Sequence, residues 1–203
     1  MSIPRKEIIS TSLSVASNEI QNLISKLDAA EVSVLIDAIL QREQSGNVLL
    51  TGIGTSGVAA QKIVHSLRCQ QLPAHYLSPG DALHGASGVI QKEDLLIAIS
   101  NGGDSETVNE TCRIASARGA QTAAVTADRK NNLASIADII VQVQVERESD
   151  YIGLLATSSI LCVIALFDAI ASVIMAERNF KPEEFAKIHP KGGVGHKLTE
   201  QKK

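Results

Sequence analysis

The 203-residue chain carries a formal charge of −3, is 44% hydrophobic and 20% charged, and is long enough to bury a substantial core as one domain. With 2% aromatic residues, no tryptophan and no basic excess, it lacks both the stacking platforms and the cationic surface of a nucleic-acid binder. Three scattered cysteines, Cys69, Cys112 and Cys162, form no CxxC pair and no zinc spacing, so they read as reduced thiols and no metal site is expected.

Pro4 suits a first helical turn, and Ile8, Leu13, Ile20, Leu23, Ile24 and Leu27 recur at near-helical spacing up to Asp28. Val32, Leu35, Ile36, Ile39 and Leu40 repeat the pattern, which predicts two antiparallel helices over residues 1–45. Short apolar runs follow at Val48–Leu50, Ala74–Leu77, Leu95–Ile99, Thr122–Val125 and Ile139–Val143, with helical stretches after Thr55, after Asp104 and near Leu133. Apolar strands alternating with helices predict, over residues 46–203, a doubly wound α/β core, a five-stranded parallel sheet flanked by helices in flavodoxin-like fashion. The whole chain, 1–203, then forms a single domain. From Ile152 to Ala176 the sequence is strongly apolar, yet Asp168 lies inside it and Thr157, Ser158 and Ser159 occupy its start. That composition predicts a helix buried in the core or against another subunit rather than a membrane span. No basic start leads into an apolar stretch, so no secretory signal is read and a cytoplasmic location is expected.

Two loops carry the chemistry. The first strand breaks into Thr51-Gly52-Ile53-Gly54-Thr55-Ser56-Gly57 and then a helical pattern. Such a loop holds phosphate, because free backbone N–H groups and the positive end of a helix dipole meet at one spot. The third strand ends in Ser100-Asn101-Gly102-Gly103-Asp104-Ser105, again hydroxyls and glycines opening onto a helix. Ligands of open α/β sheets sit beyond the carboxyl ends of the strands, where both loops lie. Gly52, Gly54 and Gly57 also match the spacing of a dinucleotide fingerprint, but the second strand closes with no acidic residue for a ribose, so no nicotinamide cofactor is expected.

In order along the chain, these loops resemble the sugar isomerase (SIS) domain of phosphosugar isomerases and of the isomerase half of glucosamine-6-phosphate synthase. Ser78–Gly85, Gly153–Ser159 and His189–Gly195 each look like segments of the arabinose-5-phosphate isomerase subfamily, and the resemblance covers nearly the whole chain. The paired CBS modules that often follow in that subfamily are not expected within these 203 residues. The resemblance implies a sugar phosphate held by Ser56, Ser100 and Ser105, with Gly54, Thr55 and Asn101 completing the cradle and no cofactor required. It also implies self-association as a homodimer or homotetramer with pockets at subunit boundaries.

Interconverting an aldose and a ketose phosphate needs a base to move a proton between C1 and C2, and an acid that serves the two oxygens in turn through an enediol. Glu148, in a loop where burial raises a carboxyl pKa, is the expected base. His189 stands where these isomerases carry a functional histidine, and His84 is a candidate for ring opening or positioning. Asp104, where the subfamily carries glutamate, completes the catalytic candidates. The plainer alternatives are that Ser105 caps its helix, that Glu148 belongs to the solvated run 146–150, and that either histidine merely bonds a nearby backbone. His65 and His196 are read as structural and His75 is unassigned. Thr55 stands where the subfamily carries lysine, Gly102 where it carries serine and Ala86 where it carries aspartate, so the substrate class is better defined than the substrate. A phosphosugar- or nucleotide-sugar-binding module without turnover is the alternative function.

Overall fold

The computed structural model describes residues 4–189. Two helices come first, α1 (Arg5–Lys26) and α2 (Ala29–Gln41), separated where Asp28 turns to cap α2, its carboxylate accepting the N–H groups of Ala30 at 2.9 Å and Glu31 at 3.4 Å. The chain then alternates β1 (Val48–Thr51), α3 (Thr55–Arg68), β2 (Ala74–Tyr76), the single-turn α4 (Pro79–Ala82), β3 (Leu95–Ile99), α5 (Glu106–Ala117), β4 (Gln121–Thr126) and β5 (Ile139–Gln142). Two more helices, α6 (Ser158–Glu177) and α7 (Pro182–Ile188), close the described chain.

All five strands are parallel, in the order β2-β1-β3-β4-β5. Alternation along each strand divides the core. Val48 and Leu50 of β1, Leu95, Ile97 and Ile99 of β3 and Val125 of β4 face α2, α3 and α6, whereas Leu49, Leu96, Ala98 and Ala124 face α5 and α4. Both faces are covered, which is why the strands read as unbroken apolar runs.

Two expectations change in detail. The stretch near Leu133 forms only one short 3₁₀ turn, Ala134–Ile136, because Asn131 Oδ1 accepts the Ala134 N–H at 2.9 Å and closes a local turn in place of a helix. The apolar helix begins at Ser158 rather than near Ile152. Residues 150–155 instead wrap around Asp150, whose carboxylate accepts the N–H groups of Ile152 at 3.1 Å and Leu155 at 3.0 Å. By length and composition α6 could cross a membrane. Here Cys162, Leu166, Phe167, Ile170 and Ile174 are buried in the core, and Asp168 on the outer side pairs with Lys62 of α3. Cys112 and Cys162 are buried, free thiols whose pKa burial pushes up to about 11, and Cys69 is half-buried and also free.

Candidate functional site

The strand order reverses between β1 and β3, so the loops after these two neighbouring strands, 52–54 and 100–105, flank one crevice. Ser56, Ile99, Asn101, Thr126, Ser159 and Val163 are among the residues lining a cleft there of about 310 Å³, counting its open mouth. It sits beyond the carboxyl ends of four strands and is floored by the first turns of α6.

The first loop is shaped by its glycines. Gly54 is the N-cap of α3 at φ 58° and ψ −131°, a conformation that L side chains rarely adopt. A Cβ on Gly57 would stand 2.7 Å from the Gly52 oxygen and 3.0 Å from the Tyr76 hydroxyl. That hydroxyl donates to the Gly52 oxygen at 2.8 Å, so strand β2 braces the loop from behind. The second loop is tied from inside. Ser100 Oγ accepts the Gly103 N–H at 3.2 Å, which leaves its own proton to donate, and Asn109 Nδ2 donates to the Gly103 oxygen at 3.0 Å. The Asn101 carbonyl accepts the Ala127 N–H at 3.0 Å and the Thr126 hydroxyl at 3.1 Å.

The helix starts differ in a way that bears on ligand binding. α2 is capped by Asp28 and α6 by Glu148, but α3 and α5, which open on the crevice, have no side-chain cap. Ser105 occupies the N-cap position of α5, yet its hydroxyl oxygen accepts no N–H of that helix, so the capping alternative does not hold for it. Two helices therefore present uncapped N-terminal N–H groups beside the hydroxyls of Ser56 and Ser105, an arrangement suited to an anion, with no cationic side chain among the described residues that line the cleft.

Glu148 is half-buried and engaged. Its Oε2 accepts the Thr157 N–H at 2.8 Å, the Thr157 hydroxyl at 3.1 Å and the Ser159 N–H at 3.1 Å, while Oε1 has no hydrogen bond among the described residues. Burial pushes its pKa upward, but hydrogen bonding from Ser159 and Thr157 outweighs it, and the carboxyl is held below its ordinary value. The expectation of a raised pKa is thus corrected: the helix N-terminus stabilises the carboxylate more than burial opposes it. Ser159, to which sequence reasoning assigned no role, both lines the cleft and donates to Glu148. Its one signal was a place in the hydroxyl run before the apolar helix.

The other candidates lie apart from Glu148. Asp104 is exposed, with Oδ1 accepting from Asn132 Nδ2 at 2.9 Å. His84 is exposed in the turn after α4 and is not among the residues lining the cleft. His189 sits at the far end of α3. Its Nε2 lies 3.6 Å from Cys69 Sγ, its ring stacks on Phe185 at 3.9 Å, and its Nδ1 is 3.2 Å from the Phe185 oxygen. Fourteen helical residues separate Thr55 from Cys69, so that imidazole is about 20 Å from the first loop. Within one chain His189 is thus remote from the first loop, and among the described residues no hydrogen bond joins Glu148 to His84 or His189. His196, with the stretch Lys191–Gly195, lies outside the described residues. Among the described residues no cluster of three or more metal-ligating side chains is set to hold an ion.

Comparison with known proteins agrees with this architecture. The SIS domain family matches residues 42–173. The chain is 35% identical over 192 residues to a Haemophilus influenzae protein named "Probable arabinose 5-phosphate isomerase", covering 95% of this chain and 56% of that one. It is 31% identical over 186 residues to the arabinose 5-phosphate isomerase KpsF of Escherichia coli O6:H1, covering 92% and 56%. The chain thus spans about half the length of the curated relatives it matches. Among solved structures, a Listeria monocytogenes protein provisionally named a sugar-phosphate isomerase superposes with a TM-score of 0.89 at 35% identity, over 94% of this chain and 100% of that one. An Escherichia coli CFT073 protein in complex with arabinose 5-phosphate shares the fold, with a TM-score of 0.86 at 24% identity over 93% and 100%.

Proposed function

Because the chain belongs to the SIS domain family, we propose that it binds a sugar phosphate in the crevice between β1 and β3 and interconverts its aldose and ketose forms. One observation carries the reading: both helices that open on the crevice start without a side-chain cap, with Ser56 and Ser105 beside them. A phosphate monoester would take the backbone N–H groups of both helix starts and the hydroxyls of Ser56, Ser100 and Ser105, with Gly54, Thr55 and Asn101 shaping the cradle. Glu148, ionised at neutral pH, is in the protonation state that a base needs. It removes the proton next to the carbonyl and returns it to the neighbouring carbon, through an enediol.

The acid comes from His84 or His189, supplied by a second copy in the case of His189, which lies at the far end of α3 in its own chain. Self-association is supported by the exposed apolar loop Tyr151, Ile152, Leu154 and Leu155 and by Ile9 and Leu13 on α1. Asp104 has an orienting role beside the second loop. The relatives carry the names of isomerases from bacteria, and the cytoplasm is the location proposed for this chain.

The test is incubation of the protein with arabinose 5-phosphate and with a panel of pentose, hexose and amino-sugar phosphates in D2O. Deuterium at C1 or C2 together with the partner ketose or aldose is expected for at least one of them. A second reading, a sugar-phosphate sensor without turnover, is favoured by the distance of His189 from the first loop. Saturable binding across the panel with no deuterium incorporated would decide for the sensor.

A further inference from the structure

Glu19 is a carboxylate buried to 3% exposure on a helix that is otherwise largely exposed. No cation pairs with it among the described residues. Its Oε2 instead accepts the Glu146 N–H at 3.0 Å and its Oε1 accepts the Arg147 N–H at 3.3 Å. Burying a carboxylate to satisfy two consecutive backbone amides is a costly way to hold a loop, since the charge must be desolvated and only those two donors offset the loss. The loop it holds is the one that delivers Glu148. Two residues after Glu146 the chain presents that carboxylate to the first turn of α6, and the Ser149 N–H donates to the Thr157 hydroxyl at 2.8 Å, so segments 146–149 and 157–159 are knitted together. Lys26 adds a second tie from the same helix, its ammonium pairing with Glu146 at 2.8 Å. Glu19 and Glu148 also both lie near the buried thiol of Cys162 on α6.

We propose that Glu19 is a positioning residue: through the amides of residues 146 and 147 it fixes where the Glu148 carboxylate stands against the start of α6. The N-terminal helix is then part of the site's machinery although none of its residues lines the cleft. The proposal concerns the mechanical link between Glu19 and Glu148, and its catalytic consequence rests on the reading of Glu148 as the base.

Two variants of the full chain test it. Glu19→Gln keeps the shape but loses the charge and offers only one acceptor, and Glu19→Asp keeps the charge but draws the carboxyl back by one methylene. Residue-resolved amide exchange needs no substrate. In both variants the Thr157 and Ser159 amides, which Glu19 does not touch, should exchange at least 10-fold faster, while amides of β3 stay protected. Unchanged protection at Thr157 and Ser159 overturns the link, whichever sugar phosphate the protein uses. With arabinose 5-phosphate, each variant should lower kcat about 10-fold with KM changed less than 3-fold, and the loss should vanish when Glu19→Gln is placed on Glu148→Gln. A Glu19 loss that multiplies unchanged on the Glu148→Gln background overturns action through Glu148. Full turnover by Glu148→Gln alone overturns instead the base assignment of the preceding subsection, with the exchange result still deciding the link.

Discussion

Glu148 is placed both to cap α6 and to act as the base, and two substitutions separate these duties. Glu148→Ala removes an ionised acceptor from two backbone amides and a hydroxyl. Hydrogen bonds to a charged group contribute about 1.5–3 kcal/mol each when well buried, but this carboxyl is half-buried and the freed amides can reach water, so the total loss is about 2–3 kcal/mol. For a domain of this size that lowers Tm by roughly 4–12 °C. Glu148→Gln keeps an oxygen in place and loses only the charge at the helix N-terminus, about 0.3–1 kcal/mol, or roughly 1–4 °C. The two variants should lose activity alike, by about 100-fold or more, because a primary amide cannot accept the proton. The sign of the pH dependence follows from the lowered pKa. A carboxyl whose folded pKa lies below its ordinary value of 4.5 contributes its full stability above that value and loses it as pH falls through the folded pKa. The Tm gap between the native chain and Glu148→Gln should therefore be constant from about pH 6 to 8 and close below pH 4.5. Thermal unfolding across that range with parallel isomerase assays checks both duties. Equal Tm for all three proteins would refute the cap, and retained turnover in Glu148→Gln would refute the base.

Gly57→Ala places a methyl 2.7 Å from the Gly52 oxygen and 3.0 Å from the Tyr76 hydroxyl that braces it. It should destabilise the protein by about 1–3 kcal/mol and weaken sugar-phosphate binding at least 10-fold, measured by denaturant unfolding and calorimetric titration. Ser56→Ala and Ser105→Ala remove hydroxyls that neither cap their helices nor brace the loops. Each should leave Tm within about 2 °C while raising KM for the sugar phosphate roughly 10-fold, the worth of one hydrogen bond to an anion. A large Tm loss with unchanged KM would assign them a packing role.

The sheet was legible because its strands are buried on both sides, so Leu95–Ile99 and its neighbours stand out as short apolar runs between polar turns. The two glycine- and hydroxyl-rich loops were legible as strand-to-helix turns at the carboxyl edge of the sheet, because glycines permit the tight turn that leads each strand into its helix. The surroundings of Glu148 were not. Its partners, Thr157 and Ser159, lie nine and eleven residues on, across a loop whose path depends on Asp150 gathering the amides of Ile152 and Leu155, and no periodicity encodes such a closure. Glu19 was hidden for a related reason. In sequence it is one polar residue of an amphipathic helix, and only the docking of α1 beside α6 turns it inward against residues 127 and 128 positions away. The position of His189 depends on α7 folding back on the end of α3, a contact between elements that local pattern does not specify.

The pairing of β1 with β3 has a further meaning. Thr51 lies opposite Ala98, so the two loops that flank the crevice, some 45 residues apart in sequence, leave the sheet from rungs fixed by one ladder of hydrogen bonds. A slip of one rung would shift one loop against the other by about 3.3 Å and turn every side chain of β3 to the opposite face. The backbone ladder thus acts as a gauge block, setting the gap between the two walls of the crevice that no direct contact between the loops needs to measure.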